Sequence, residues 1–284
     1  TPVADEIEVN TSQLSFFIQS REPSEQLLQS VRSLRKSVPD SSIYLLADGG
    51  EGFGSSNIAS RYTLHTEKAP FATHLADYRN PNFTCQNHFH RLSTAARWAK
   101  SRGAEWIVSW EEDTRMLGPP RFIPSNADLV VLSNVQNQHA GGFAPHQLAK
   151  SRMIRDGQLT PDTNTMEGRR ELFLAKHVEQ YESLGFYTGG PLSAWKIQSF
   201  LDVLSRSLDV VEHMFPVLDI CWTELAVIND VQIKPWREAQ QATAPNSKKF
   251  KEATAESNNL QCLLCIDGCK QACACGDFAW KITD

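Results

Sequence analysis

The chain predicts an α/β fold: a mostly parallel central sheet flanked by helices, Rossmann-like in its order, with a cysteine-rich C-terminal tail. Three observations carry this. Short apolar runs such as Leu14–Ile18, Ile43–Ala47 and Trp106–Trp110 read as buried strands. Amphipathic helical stretches alternate with them, the pattern of βαβ units. The acidic run Glu111-Glu112-Asp113 follows directly on the third of these strands, and open α/β sheets bind ligands at the carboxyl ends of their strands.

In chain order, Leu14–Ile18 is a compact apolar run that opens into the polar turn Gln19–Ser24. A helix is predicted from about Ser24 to Ser37, with Leu27, Leu28, Val31 and Leu34 on one face, Ser24 as N-cap and Pro39 past the end. The strand Ile43–Ala47 delivers Asp48-Gly49-Gly50 into a turn. A right-handed crossover between these strands puts Arg21 and Asp48 at one edge of the sheet. Residues 51–86 read as a long connection with a weak strand near Tyr62–Leu64. A helix over Asn87–Arg102, stopped by Gly103, feeds the acidic strand, and Asp128–Ser133 is a further buried strand.

Residues 134–167 are rich in Gly, His, Asn and Asp and predict a long active-site loop or lid. Gly185–Lys196 reads as a glycine-bearing turn leading into a helix, where Gly189 and Gly190 let backbone approach a ligand closely. A simple tight turn is the alternative. A helix over Asp219–Ala226, a strand over Val227–Ile233 and a polar linker from Arg237 complete the body.

With 284 residues, the chain holds one main domain plus a tail. Its 41% hydrophobic and 21% charged residues exclude global disorder. The net charge of −5 argues against nucleic acid as a general partner, because such proteins carry a basic excess. No run of about 18 apolar residues spans a bilayer, and the first residues lack the pattern of a signal peptide. The chain begins at Thr1, and a membrane anchor outside it is compatible with this reading.

Five of the seven cysteines crowd the tail, at Cys262, Cys265, Cys269, Cys273 and Cys275, while Cys85 and Cys221 lie in the body. The tail spacing suits short-range disulfides in a secretory compartment, with a thiolate zinc site the alternative. Sequons at Asn10-Thr11-Ser12 and Asn82-Phe83-Thr84 permit a secretory route.

Three adjacent carboxylates at the end of an apolar strand repel one another and resist desolvation unless a cation compensates them. Hard oxygen ligands favour Mn2+ or Mg2+, ions that keep open positions for substrate phosphates, so a diphosphate-bearing substrate is expected. The same triplet also suits a solvated loop after a strand.

This order of features, over roughly residues 13–236, resembles the GT-A class of nucleotide-sugar glycosyltransferases. Within it the chain looks most like the inverting N-acetylglucosaminyltransferase I group, whose Glu-Asp-Asp metal motif stands here as Glu111-Glu112-Asp113; the wider class motif is the DXD type. The resemblance implies an N-terminal extension over 1–12 and a GT-A domain over 13–236. It divides that domain into a nucleotide-binding half, about 13–133, and an acceptor half, about 134–236; 237–284 are linker and cysteine-rich tail.

Carried over position by position, Asp113 ligates the metal, and Glu111 and Glu112 contact ribose or metal-bound water. Asp48 accepts from the base, Arg21 stacks on or bonds to it, and Arg91 or Arg97 offsets the diphosphate. Asp219 is the expected general base with Glu224 second, since an acceptor hydroxyl needs a carboxylate to take its proton; Asp219 is equally suited to a helix N-cap. Gly189, Gly190, Trp195 and Trp222 shape the acceptor side, with core packing the simpler role for the two indoles. His139, His146 and His213 are extra ligands only under a retaining mechanism.

The resemblance thus implies transfer of a sugar, with inversion, from a nucleoside diphosphate donor (UDP-linked) to a hydroxyl of a glycan or glycoconjugate. The transferred group is a hexosyl or N-acetylhexosaminyl unit. Golgi or ER lumen is the expected compartment, the cytoplasm the alternative. Two other functions compete. A sugar-phosphate nucleotidyltransferase needs a glycine-rich loop after the first strand, which Gln19–Ser24 lacks. A non-catalytic carbohydrate- or partner-binding module on the same fold needs no intact acidic site.

Overall fold

The computed structural model describes residues 6–21, 23–49, 52–54, 57–70, 85–112, 114–116, 118–132, 145–179, 193–211, 222, 225–236 and 264–265. Its centre is a seven-stranded sheet. β2 (Leu14–Ser20), β3 (Ser42–Ala47), β4 (His65–Lys68), β5 (Trp106–Trp110), β8 (Leu129–Leu132), β9 (Ala194–Lys196) and β10 (Ile233–Trp236) lie in the order β10-β8-β9-β5-β2-β3-β4. The pairs β10–β8, β5–β2, β2–β3 and β3–β4 are parallel, and β9 runs antiparallel to both β5 and β8. Outside this sheet, β1 (Glu6–Glu8) pairs antiparallel with β7 (Phe122–Pro124), and β6 (Arg115–Met116) with β11 (Leu264–Cys265).

The period-two alternation of strand side chains splits the apolar residues into two cores. Phe16 and Ile18 of β2, Ile43 and Leu45 of β3, and Val108 and Trp110 of β5 face one way, onto Leu27, Val31 and Leu34 of α1 (Glu25–Ser37). Phe17, Tyr44, Leu46 and Ile107 face the other way, onto Phe89, Leu92 and Ala96 of α3 (Cys85–Ser101) and Phe200 of α6 (Ile197–Arg206). Because both faces are covered, the strands read as continuous apolar runs, as parallel sheets require. Ser24 caps α1, its Oγ accepting from Leu27 N at 3.1 Å.

Several expectations are corrected. Residues 58–62 form a helix, α2, and the neighbouring strand is His65–Lys68. That strand is polar because it lies at the sheet's edge, where alternation is not demanded. The predicted strand over Val227–Ile233 is displaced: residues 225–227 are helical, Asp230 turns the chain at φ 51°, and the strand is Ile233–Trp236. Leu225 and Ala226 are buried in the helix expected there, which runs on through Val227, one residue past its expected end. The expected loop over 134–167 contains α4 (Pro145–Arg155), which packs against α5 (Met166–Lys176). The arginines and lysines along these helices blur their apolar stripe. The segment expected to lead into a helix does so, at α6, but it first forms β9, only three residues long and too short to show a period. Among the described residues no helix is long and apolar enough to cross a membrane.

Candidate functional site at the carboxyl edge of the sheet

Parallel registration decides which residues meet at the sheet's edge. Ile18 lies opposite Trp110, so two residues further on Ser20 stands level with Glu112. Ser20 also lies opposite Ala47, which brings Arg21 level with Asp48. The hydrogen bonds agree with this: Ser20 Oγ donates to Glu112 Oε2, and Asp48 N donates to Ser20 O at 2.8 Å. Arg91, on the face of α3 that packs on these strands, donates from Nη1 to Asp48 Oδ1 at 2.8 Å. Both side chains are buried, at 7% and 6% exposure. Asp48, Arg91, Ser20 and Glu112 therefore form one connected polar row across four elements, β3, α3, β2 and β5.

The acids after β5 are held by the layer beneath. Trp110 Nε1 donates to Ser30 Oγ at 2.7 Å, and Ser30 Oγ in turn reaches Glu111 O at 3.4 Å. Thr114 N donates to Glu111 O at 3.2 Å, closing a turn across the triplet. Behind that turn Arg115, 9% exposed, donates to Thr114 O and to Gln29 Oε1. Glu111 and Glu112 are half-buried, and Arg21 is exposed at the end of β2.

Five of the residues expected to bind the donor, Arg21, Asp48, Arg91, Glu111 and Glu112, accordingly lie along one sheet edge. The guanidinium of Arg91 is engaged with Asp48, a pairing that the sequence did not indicate. Trp195 and Trp222, expected on the acceptor side, are corrected: both are fully buried, with ring centroids 5.9 Å apart. Neither indole offers a face to a sugar, and both are packing residues. Asp113, Gly189, Gly190, Asp219 and Glu224, together with His139 and His213, lie outside the described residues; His146 falls in α4. Among the described residues no cluster of three metal-ligating side chains occurs.

Sequence reasoning missed Ser20, Arg115 and His88. Ser20 and Arg115 become legible only once strand register is known. His88 precedes Arg91 by one helical turn, a spacing that does place two residues on one face. It is buried, and its Nε2 is 3.0 Å from Trp222 Nε1. An indole N–H only donates, so Nε2 accepts and the imidazole proton sits on Nδ1. Burial, helped by the charge of Arg91, pushes the His88 pKa down to about 3.

A stability consequence follows from that depressed value. The unfolded chain binds a proton near the ordinary histidine value of 6.5, while the folded chain refuses it. This group's contribution to stability is therefore complete above pH 6.5 and is lost as pH falls toward 3. His88→Gln, which does not titrate, should lose less stability than the native chain between about pH 7 and pH 4.5, read as urea midpoints. A parallel decline in the two proteins would show that the ring titrates as an exposed group.

No protein-family model matches the chain, and no curated protein matches its sequence. Among solved structures it is similar to the mannosyltransferase PcManGT from Pyrobaculum calidifontis in complex with GDP-Man and Mn2+. The TM-score is 0.42 at 9% identity, over 85% of this chain and 59% of that one. The chain thus spans less than two thirds of that protein's length. It is also similar to the PaToxG glycosyltransferase, with TM-score 0.36, 8% identity and coverage of 79% and 71% of the two chains. Mouse xyloside xylosyltransferase 1 in its apo form gives TM-score 0.39 and 11% identity over 78% of this chain and 84% of that one. These are likenesses of partial overall shape, and no residue's role is taken from them.

Proposed function

We propose that this chain is a metal-dependent glycosyltransferase of the GT-A type, taking a sugar from a nucleoside diphosphate to a hydroxyl of a glycan or glycoconjugate. The observation that supports it is the convergence at one sheet edge of Arg21, Asp48 and the acids Glu111 and Glu112. A carboxylate beside an exposed guanidinium at the end of two parallel strands suits a nucleoside. Acids one strand away suit the cation that accompanies its diphosphate.

The donor set fits Mn2+ or Mg2+ in kind. Asp113 would be the direct ligand, with the carboxylates of Glu111 and Glu112 contacting ribose or metal-bound water. When bound, the cation neutralises charge that grows on the departing diphosphate. The protein's own residues do the rest: Asp48 and Arg21 hold the nucleoside, and Ser20 fixes the carboxylate of Glu112. Asp219, or Glu224 in its place, takes the acceptor proton as the hydroxyl attacks with inversion. UDP is the proposed base and diphosphate. Cys85 is disulfide-bonded, which supports an oxidising compartment such as the Golgi or ER lumen.

Ligand binding to the folded chain raises its melting temperature by mass action. In a screen of nucleoside diphosphates with and without Mn2+, at about 100 times Kd the expected stabilisation is ~2.7 kcal/mol. The shift should require the metal and name the base. A chain that no nucleoside diphosphate stabilises, with or without metal, is not a transferase of this type.

A further inference from the structure

We propose that His88 is a positioning residue for the Asp48–Arg91 pair and ties that pair, through the Trp222 indole, to the segment in which Trp222 lies. Cys85, His88 and Arg91, spaced three residues apart, form a buried stripe along α3. Each makes a different attachment. Cys85 is in a disulfide, His88 Nε2 accepts from Trp222 Nε1 at 3.0 Å, and Arg91 Nη1 donates to Asp48 Oδ1 at 2.8 Å. The His88 ring also packs toward β2, its centroid 6.5 Å from that of Phe17, three residues before Ser20. The middle attachment therefore lies between the helix, the strand that ends in Ser20, and Trp222.

Packing is not a sufficient reason for a histidine here. Its Nδ1–H is buried and has no hydrogen-bond partner among the described residues, a cost of about 1–3 kcal/mol. A phenylalanine would fill the same apolar space, among Phe17, Phe89 and Trp222, without that cost. What the imidazole supplies and a phenylalanine does not is a neutral acceptor for the Trp222 N–H one turn from a cation. A protonated ring would set a second positive charge beside Arg91, and a purely apolar ring would strand the indole N–H. The turn of α3 that carries Arg91 is thus also held, one turn earlier on the same buried face, by the bond from Trp222. Trp222 lies in sequence between Asp219 and Glu224, so the link joins the donor edge to the segment proposed to carry the general base. That functional consequence rests on the glycosyltransferase reading; the positioning of Arg91 does not.

The test uses the full chain with 15N-labelled arginine, the Arg91 side-chain N–H signals being assigned by their loss in Arg91→Lys. In the native protein these protons should exchange slowly. In His88→Phe they should exchange at least about tenfold faster, and His88→Gln, whose amide oxygen can accept where Nε2 does, should restore most of the protection. Trp222→Phe, which removes the donor from the other side, should also accelerate exchange and covers the case in which His88→Phe does not fold. Unchanged Arg91 exchange in a folded His88→Phe, or in Trp222→Phe, would overturn the proposal and leave His88 as a packing residue. In the same proteins the Kd for UDP with Mn2+ should rise about tenfold in His88→Phe and recover in His88→Gln. Failure of the native chain to bind UDP would count against the donor reading, while Arg91 exchange would still decide the positioning role.

Discussion

Arg91→Met is expected to destabilise the fold by about 3–5 kcal/mol, the cost of leaving one member of a buried ion pair uncompensated. Methionine preserves most of the side chain's volume, so a cavity contributes little. What remains is the Asp48 carboxylate, 6% exposed at the end of β3 and deprived of its 2.8 Å partner. In the variant, desolvation raises the Asp48 pKa in the folded state, because a neutral carboxyl is cheaper to bury. The sign then follows from linkage: the folded variant binds a proton that the unfolded chain releases, so the variant is least disadvantaged at low pH and loses ground as pH rises.

The difference in unfolding free energy between native and variant, from urea titrations at several pH values, should grow from acid to neutral pH. Removing both partners, as Arg91→Met with Asp48→Leu, should recover part of the loss. An additive double variant would show that the two groups are not coupled, and a loss below about 1 kcal/mol in the single variant would place the pair in the class of solvent-screened bridges.

Much of the sheet was legible because β2, β3 and β5 are buried on both faces, which compels apolar runs at Leu14–Ile18, Ile43–Ala47 and Trp106–Trp110. α1 was legible for a different reason: Ser24, Leu27, Val31 and Leu34 carry cap and stripe together. The edge strand His65–Lys68 was misplaced because, among the described residues, one side of it has no strand to pair with, so polar residues are tolerated there. β9 could not be read from periodicity at all, since three residues hold less than two repeats.

The site divides along the same line. Asp48, Glu111 and Glu112 stand at strand ends and announce themselves. The pairing of Arg91 with Asp48 was not legible, because side-chain pairing depends on which face of α3 lies on the sheet. The indoles of Trp195 and Trp222 mislead for the converse reason. Tryptophan suits a sugar platform and a core equally well, and only burial separates the two.

Asp113→Ala is expected to lower kcat/KM for sugar transfer by at least about 1000-fold, or ~4 kcal/mol of transition-state stabilisation. The size follows from the role proposed for the cation, whose neutralising effect grows only as the diphosphate departs and so falls mainly on kcat. Glu112→Gln should cost far less, about tenfold, and the contrast has a structural basis. One oxygen of Glu112 is already engaged by Ser20 Oγ, and an amide oxygen can accept that same bond, so the substitution removes a charge and keeps the arrangement. The melting temperature of each variant without ligand serves as the control for folding, and Mn2+ titration of the residual activity separates lost affinity from lost chemistry. Equal losses in the two variants would mean that the acids act as an undifferentiated pool of negative charge. Full activity in Asp113→Ala, with metal still required, would move the metal ligand to another residue.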